Sequence, residues 1–106
     1  MDKIMNEVCV FLADGFEEIE GLTVVDLLRR AGIETRTVSI MGQEEIKGAH
    51  GIIVKADSLF ENTDFSEVKM LVLPGGMPGT IHLKEHKGLE GLILKHNEEK
   101  KYLAAI

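Results

Sequence analysis

The chain has little of what would mark a disulfide scaffold, a membrane protein or an exported protein. Its 106 residues include a single cysteine, Cys9, so no internal disulfide framework can form. A reducing compartment, the cytoplasm, is the simpler prediction. No apolar run approaches the roughly 18 residues of a membrane span. The first six residues lack the basic segment and long apolar stretch of a signal peptide.

The chain also has fewer basic than acidic residues. Twelve Lys and Arg stand against 18 Asp and Glu, giving a net charge of -6. Nucleic acids and anionic membranes attract proteins through clustered basic residues, so neither is expected as a main partner. The hydrophobic content of 44% still allows a core, and the length allows at most one domain.

Short apolar runs alternate with segments of helical periodicity. Core strands are predicted over 7–13, 34–40, 70–73 and 102–106, and helices over 17–31 and 80–101. A small hairpin is predicted to pair 45–47 with 51–54, and 57–60 and 63–65 are predicted to be turns. This alternation is typical of an α/β protein with a parallel sheet.

Three acidic residues open the first predicted helix, directly after the first strand. Glu17, Glu18 and Glu20 could simply complement the positive end of the helix dipole. Alternatively, Glu17 and Glu20 share a helix face, and an inward-pointing, desolvated Glu20 could stay protonated and donate a hydrogen bond to an anion. The residues alone leave both interpretations open.

Gly75 and Gly76 follow the predicted strand over 70–73. Two glycines allow close approach of a ligand to the backbone, and two free N–H groups could form an oxyanion hole. A dinucleotide fingerprint needs a third glycine at the right spacing and a helix directly after it, and the segment 76–79 does not supply them. An ordinary turn is the alternative.

The other reactive side chains carry weaker predictions. Cys9 lies inside the first strand and is interpreted as a small buried hydrophobe. His82 and His86 are four residues apart but have no evident third ligand, so no metal site is predicted. His50, in the hairpin turn, is expected at the surface.

The chain stops at Ile106, the last residue of an apolar run that is predicted to be a buried strand. Natural termini are usually exposed and polar, and ligands of open α/β sheets bind just beyond the strands' carboxyl ends. The 106 residues are therefore expected to be the N-terminal portion of one domain. A further chain segment or second polypeptide would complete it.

Four segments together resemble the ThiJ/PfpI superfamily, in its subgroup of parkinsonism-associated protein deglycases and chaperones. They are 11–20, 26–33, 72–76 and 103–106, in the family's order. The resemblance implies a flavodoxin-like parallel sheet sandwiched by helices, here incomplete, and usually a homodimer. It also implies a nucleophilic cysteine directly after Ile106, at the sharp turn called the nucleophile elbow.

The resemblance assigns roles residue by residue. Glu20 would hydrogen-bond the cysteine sulfur, and Gly75 and Gly76 would supply the oxyanion backbone. Glu17 matches a pocket-edge carboxylate, and His50 a basic position near the pocket rim and dimer interface. Ile19 falls on the helix that the family uses for dimer contact. No cofactor or metal is implied.

The function implied is cysteine-dependent action on small reactive carbonyls, glycated protein or peptide bonds. One alternative is a redox-sensing chaperone that uses the same oxidisable cysteine and Glu20. Another is a non-catalytic flavodoxin-like binding module, which would need no reactive thiol. The residues alone do not decide between an enzyme and the alternatives.

Overall fold

The computed structural model describes residues 8–106. Glu7 of the first predicted strand and the six residues without a signal-peptide pattern lie outside the described residues. The elements are β1 (Val8–Leu12), α1 (Glu18–Arg30), β2 (Thr35–Ser39), β3 (Glu45–Lys47), β4 (Ile53–Lys55), β5 (Ser58–Leu59), β6 (Met70–Leu73), α2 (Gly79–Glu85), α3 (Lys87–Glu98) and β7 (Tyr102–Ala105). Among these helices, none is long and apolar enough to cross a membrane.

Five strands form one parallel sheet in the order β5-β2-β1-β6-β7. All five residues of β1 are buried, which explains its nearly continuous apolar sequence. Side chains of α1 and the β3–β4 hairpin pack on one face of the sheet, and those of α2 and α3 pack on the other. The predicted flavodoxin-like arrangement is confirmed.

Two local predictions were wrong. The second predicted helix is divided at His86, whose extended backbone ends α2 and whose Nδ1 accepts a 2.9 Å hydrogen bond from the Leu89 N–H as the N-cap of α3. The predicted turn at 57–60 contains β5, because Ser58 and Leu59 pair with Val38 and Ser39 at the sheet edge.

The strand predicted over 102–106 forms, but it is not buried. Tyr102 is 68% exposed, Leu103 42% and Ile106 54%. The physical reason is position, because β7 lies at the edge of the sheet and pairs only with β6 among the described strands.

The strand order places the candidate residues at one edge. The chain passes from β1 to β2 on one side, and β6 later returns to the other side of β1. At such a reversal, the loop after one strand and the loop after its neighbour run in opposite directions. A crevice opens between them at the carboxyl ends of the strands, where open α/β proteins bind their ligands. The loop after β1 ends at Glu17 and leads into Glu20 in the first turn of α1, and the loop after β6 carries Gly75 and Gly76.

Candidate functional site

The loops that follow β1 and β6 are joined by backbone hydrogen bonds. The Glu17 N–H donates to the Gly75 carbonyl at 2.9 Å, and the Gly79 N–H donates to the Gly15 carbonyl at 3.2 Å. Gly76 has a φ of +103°, and a Cβ there would collide with the backbone of Glu17 and Gly15. Only glycine fits this left-handed position and close approach.

Glu20 points toward the loop after β6. Its Oε1 accepts a 2.9 Å hydrogen bond from the Gly75 N–H. The prediction of two free N–H groups is therefore wrong for Gly75, because its N–H is already engaged by this carboxylate. Among the described residues, the Gly76 N–H makes no hydrogen bond.

The end of β7 reaches the same place. The Ile106 N–H donates to the Leu73 carbonyl at 3.0 Å, which continues the β6–β7 pairing past the last strand residue. A Cβ on Gly75 would lie 3.0 Å from the Ile106 carbonyl oxygen and 2.6 Å from Glu20 Oε1. Glu20, Gly75 and Ile106 thus converge, and Gly75 leaves no space for a side chain between the other two.

Glu18 is a residue whose importance the sequence did not reveal. It is only 5% exposed, and its Oε2 accepts hydrogen bonds from the backbone N–H groups of His50, at 2.8 Å, and Ile52, at 3.3 Å. Its Oε1 lies 2.8 Å from His50 Nδ1. A Cβ on Gly48 would collide with the same carboxylate. Glu18 therefore fastens the β3–β4 hairpin to the start of α1.

These contacts shift the proton affinities of both partners. Desolvation opposes ionisation of Glu18, but the hydrogen bonds from His50 and from backbone N–H groups prevail and lower its pKa to about 2. The hydrogen bond to Glu18, followed by the charges of Glu17 and Glu18, raises the pKa of His50 above its usual range. The contacts between the two side chains therefore stabilise the charged form of each.

A cavity of about 520 Å³ joins most of the predicted residues. It is lined by Glu17, Glu18, Ile19, Glu20, His50 and Ile52. The His50 side chain is 66% exposed at its rim, consistent with the predicted surface position. Gly75 and Gly76 do not line this cavity, and Gly75 is connected to it through its hydrogen bond to Glu20.

The Glu17, Glu18 and His50 ligand atoms all lie within 4.8 Å of one another, which is close enough for a divalent cation. Hydrogen bonding already accounts for this grouping, because both Glu18 oxygens have donors. The expectation of no metal stays a prediction.

Cys9 is fully buried, and desolvation raises the pKa of its thiol to about 12 against the opposing charge of Arg36. It is a core residue, as predicted.

Comparison with known proteins gives a consistent picture. A model described as the DJ-1/PfpI family matches residues 6–106. The chain is 33% identical over its full length to protein DJ-1 homolog A of Arabidopsis thaliana, covering 27% of that protein. It is 35% identical over 80 residues to deglycase TK1284 of Thermococcus kodakarensis, which is 74% of this chain and 48% of the relative.

Among solved structures, the chain resembles oxidized Toxoplasma gondii DJ-1 with a TM-score of 0.91 and 33% identity, covering 95% of this chain and 55% of that one. The chain therefore spans about half or less of each of these three proteins.

Proposed function

The chain belongs to the DJ-1/PfpI family, and from that premise we propose that the longer protein attacks reactive carbonyl compounds with a cysteine thiolate. The nucleophile is the residue that follows Ile106, in a segment that also completes the domain. The observation that carries this proposal is the convergence of Glu20, Gly75 and the Ile106 carbonyl at the carboxyl edge of the sheet. A residue attached to that carbonyl lies next to the Glu20 carboxyl group.

Each side of the site then has a chemical task. A cysteine at the start of an elbow helix has a lowered thiol pKa, because the helix dipole stabilises the thiolate. The thiolate adds to an aldehyde carbon, and Glu20 orients the sulfur and exchanges protons with the adduct. The Gly76 N–H donates to the developing alkoxide, and the Gly75 N–H joins it when Glu20 turns toward the sulfur.

The substrate class is a small 2-oxoaldehyde such as methylglyoxal, or the adduct of one with a protein side chain. Similarity to a protein named a deglycase supports this choice. Hydrolysis of peptide bonds would use the same thiolate and the same oxyanion donors.

A second candidate function is redox sensing coupled to chaperone action. It is favoured by similarity to a DJ-1 solved in its oxidized form. In this function, peroxide oxidises the thiolate to a sulfinate, and a protonated Glu20 donates a hydrogen bond to the sulfinate oxygen. The non-catalytic binding module differs from both because it has no reactive thiol.

The assembly proposed is a homodimer in the cytoplasm. Ile19 is 73% exposed on α1, and Ile52 beside the same cavity is 51% exposed. Exposed aliphatic side chains of this size are candidates for burial in an interface. The dimer contact places the cavity near the two-fold axis.

Two assays on the full-length protein separate these functions. Methylglyoxal turnover is measured beside a peroxide titration with intact-mass readout, in the wild type and in a variant with serine at the proposed cysteine. Turnover lost in the serine variant supports the enzyme. A mass gain of two oxygens without turnover supports the sensor. If neither occurs and native alkylation labels no thiol, the binding module is correct.

A further inference from the structure

The Glu18–His50 pair has the geometry of a carboxylate–histidine dyad. The His50 ring presents Nδ1 to Glu18 Oε1 at 2.8 Å and lies 3.7 Å from Glu17 Oε2. Among the described residues, no group hydrogen-bonds Nε2 on the opposite edge of the ring. Two carboxylates therefore engage one nitrogen, and the other is available to a ligand in the cavity.

Glu18 is unusually well fixed for a side chain at a helix start. It is nearly fully buried, and the N–H groups of His50 and Ile52 hold Oε2, so Oε1 has a defined direction. A carboxylate held in this way selects the tautomer and orientation of its imidazole partner, because the Nδ1–H must point at it. When neutral, His50 then carries its lone pair on Nε2.

We infer that His50 is a proton-transfer residue of the carbonyl site and that Glu18 is its positioning residue. This inference rests on the proposed function and adds an acid–base pair to it. His50 and Glu20 line the same cavity, so one adduct can be served by both.

The chemical step is an isomerisation of the adduct formed between the thiolate and a 2-oxoaldehyde. His50 Nε2 takes the proton from the former aldehyde carbon. The C–H electron pair forms a C=C bond, and the neighbouring carbonyl π electrons move to their oxygen. The protonated Nε2 returns the proton to that neighbouring carbon.

Glu20 carries the hydroxyl proton of the first carbon to the second oxygen, which leaves a thioester and a new hydroxyl group. Water then hydrolyses the thioester to a 2-hydroxy acid and the free thiol. The aldehyde carbon is oxidised and its neighbour reduced, so no external oxidant or reductant is required.

The charges facing His50 explain why the pair is tuned for this step. Glu17 is the N-cap residue of α1, Glu18 and Glu20 lie in its first turn, and the hairpin supplies only His50 and Ile52 to the cavity. The anionic neighbours raise the pKa of His50, which makes Nε2 a stronger base than a free imidazole.

The test is the pH dependence of kcat and KM for methylglyoxal in the full-length protein. We expect His50→Ala to lower kcat by roughly 100-fold or more with little change in KM, and added imidazole to restore part of it. We expect Glu18→Gln to move the histidine limb of the kcat profile to lower pH, because it removes the negative charge. A purely structural role for Glu18 would not move that limb.

His82→Ala is the matched control, since His82 lines a different cavity on α2 and should leave the profile unchanged. Circular dichroism confirms folding, and the pH profile of Glu18→Gln, which retains His50, keeps the test decisive if His50→Ala does not fold. If the wild type turns over methylglyoxal and His50→Ala has the same kcat, the dyad is overturned but the proposed enzyme is not. The same conclusion follows if the histidine limb of the kcat profile does not move in Glu18→Gln. Absence of wild-type turnover overturns both the dyad and the proposed enzyme.

Discussion

The Gly75 N–H donates a 2.9 Å hydrogen bond to the Glu20 carboxylate across 55 residues of sequence. This bond joins the loop after β6 to the first turn of α1 and gives Glu20 a fixed direction. The Ile106 carbonyl oxygen lies near the same point, 3.0 Å from the position that a Cβ on Gly75 would occupy. A side chain at 75 would collide with the Glu20 carboxylate and crowd the Ile106 carbonyl, so the site requires glycine here.

Replacing Glu20 by Gln should reduce methylglyoxal turnover in the full-length protein by about 100-fold, the usual contribution of a positioned proton-transfer group. Gln retains the shape and can still accept from the Gly75 N–H, so folding should survive. Steady-state kinetics measures the effect. Glu61→Gln is the control, because Glu61 is an exposed carboxylate on a short 3-10 helix, Phe60–Asn62, that follows β5. Equal loss in both variants would contradict a specific role for Glu20.

The sequence predicted more of the fold than of the site. The apolar run of β1 predicted a buried strand. Gly32 has a φ of +81° directly after the end of α1, as its position after the last helical turn predicted. The resemblance to a family brought Glu20 and Gly75 to one site. The apolar pattern of 102–106 predicted the strand β7 but does not fix its burial, because such a pattern reports what a strand can bury, whereas the neighbouring elements decide what is buried.

Glu18 was missed for a different reason. Its partners are backbone N–H groups and a ring nitrogen 32 to 34 residues away, and no sequence period connects such positions. The acidic run at the helix start has a sufficient local explanation in the helix dipole. Gly48 was the one available signal, since a glycine in a hairpin turn can mark a close approach, and here it makes room for the Glu18 carboxylate.

Gly76→Ala should destabilise the full-length protein by roughly 2–4 kcal/mol, because it combines a strained φ with a backbone collision. Chemical denaturation measures the change in the free energy of unfolding. Gly91→Ala is the opposite case, since it lies in α3 with nothing within 4 Å of the added methyl group. It should stabilise by about 0.5–1 kcal/mol, the helix-propensity difference. Similar effects of the two alanines would show that the loop packing is not as described.

Ile19→Glu should weaken the proposed dimer, because it places a charge on the most exposed large aliphatic side chain of α1. Sedimentation equilibrium of the full-length protein should then show a larger dissociation constant or a monomer. Leu94→Glu makes the same chemical change at a 59% exposed position on α3, on the other face of the sheet, and should leave the dimer intact. If only Leu94→Glu disrupted the dimer, the interface would lie on the α3 face of the sheet, and the proposed contact through Ile19 would be wrong.

Stability should fall in acid because of Glu18. The pKa of its carboxyl is lowered from 4.5 to about 2 in the folded protein. A depressed folded pKa means that the unfolded chain binds more protons as the pH falls, so the stabilisation is present above the unfolded value and is lost toward pH 2. His50 acts in the opposite direction. Its raised pKa stabilises the fold below the ordinary value of 6.5, and that contribution is lost as the pH rises through the folded pKa.

Urea unfolding from about pH 7 to pH 2.5 in wild type and Glu18→Gln separates this contribution from general acid denaturation. The wild type should be the more stable at pH 6, and the two free energies of unfolding should converge as the carboxylate becomes protonated. Asp26→Asn is the control, because Asp26 pairs with Arg30 at the surface and its loss should leave the acid limb of the wild type unchanged. A Glu18→Gln variant that parallels the wild type throughout would show that the hairpin is not fastened through this carboxylate.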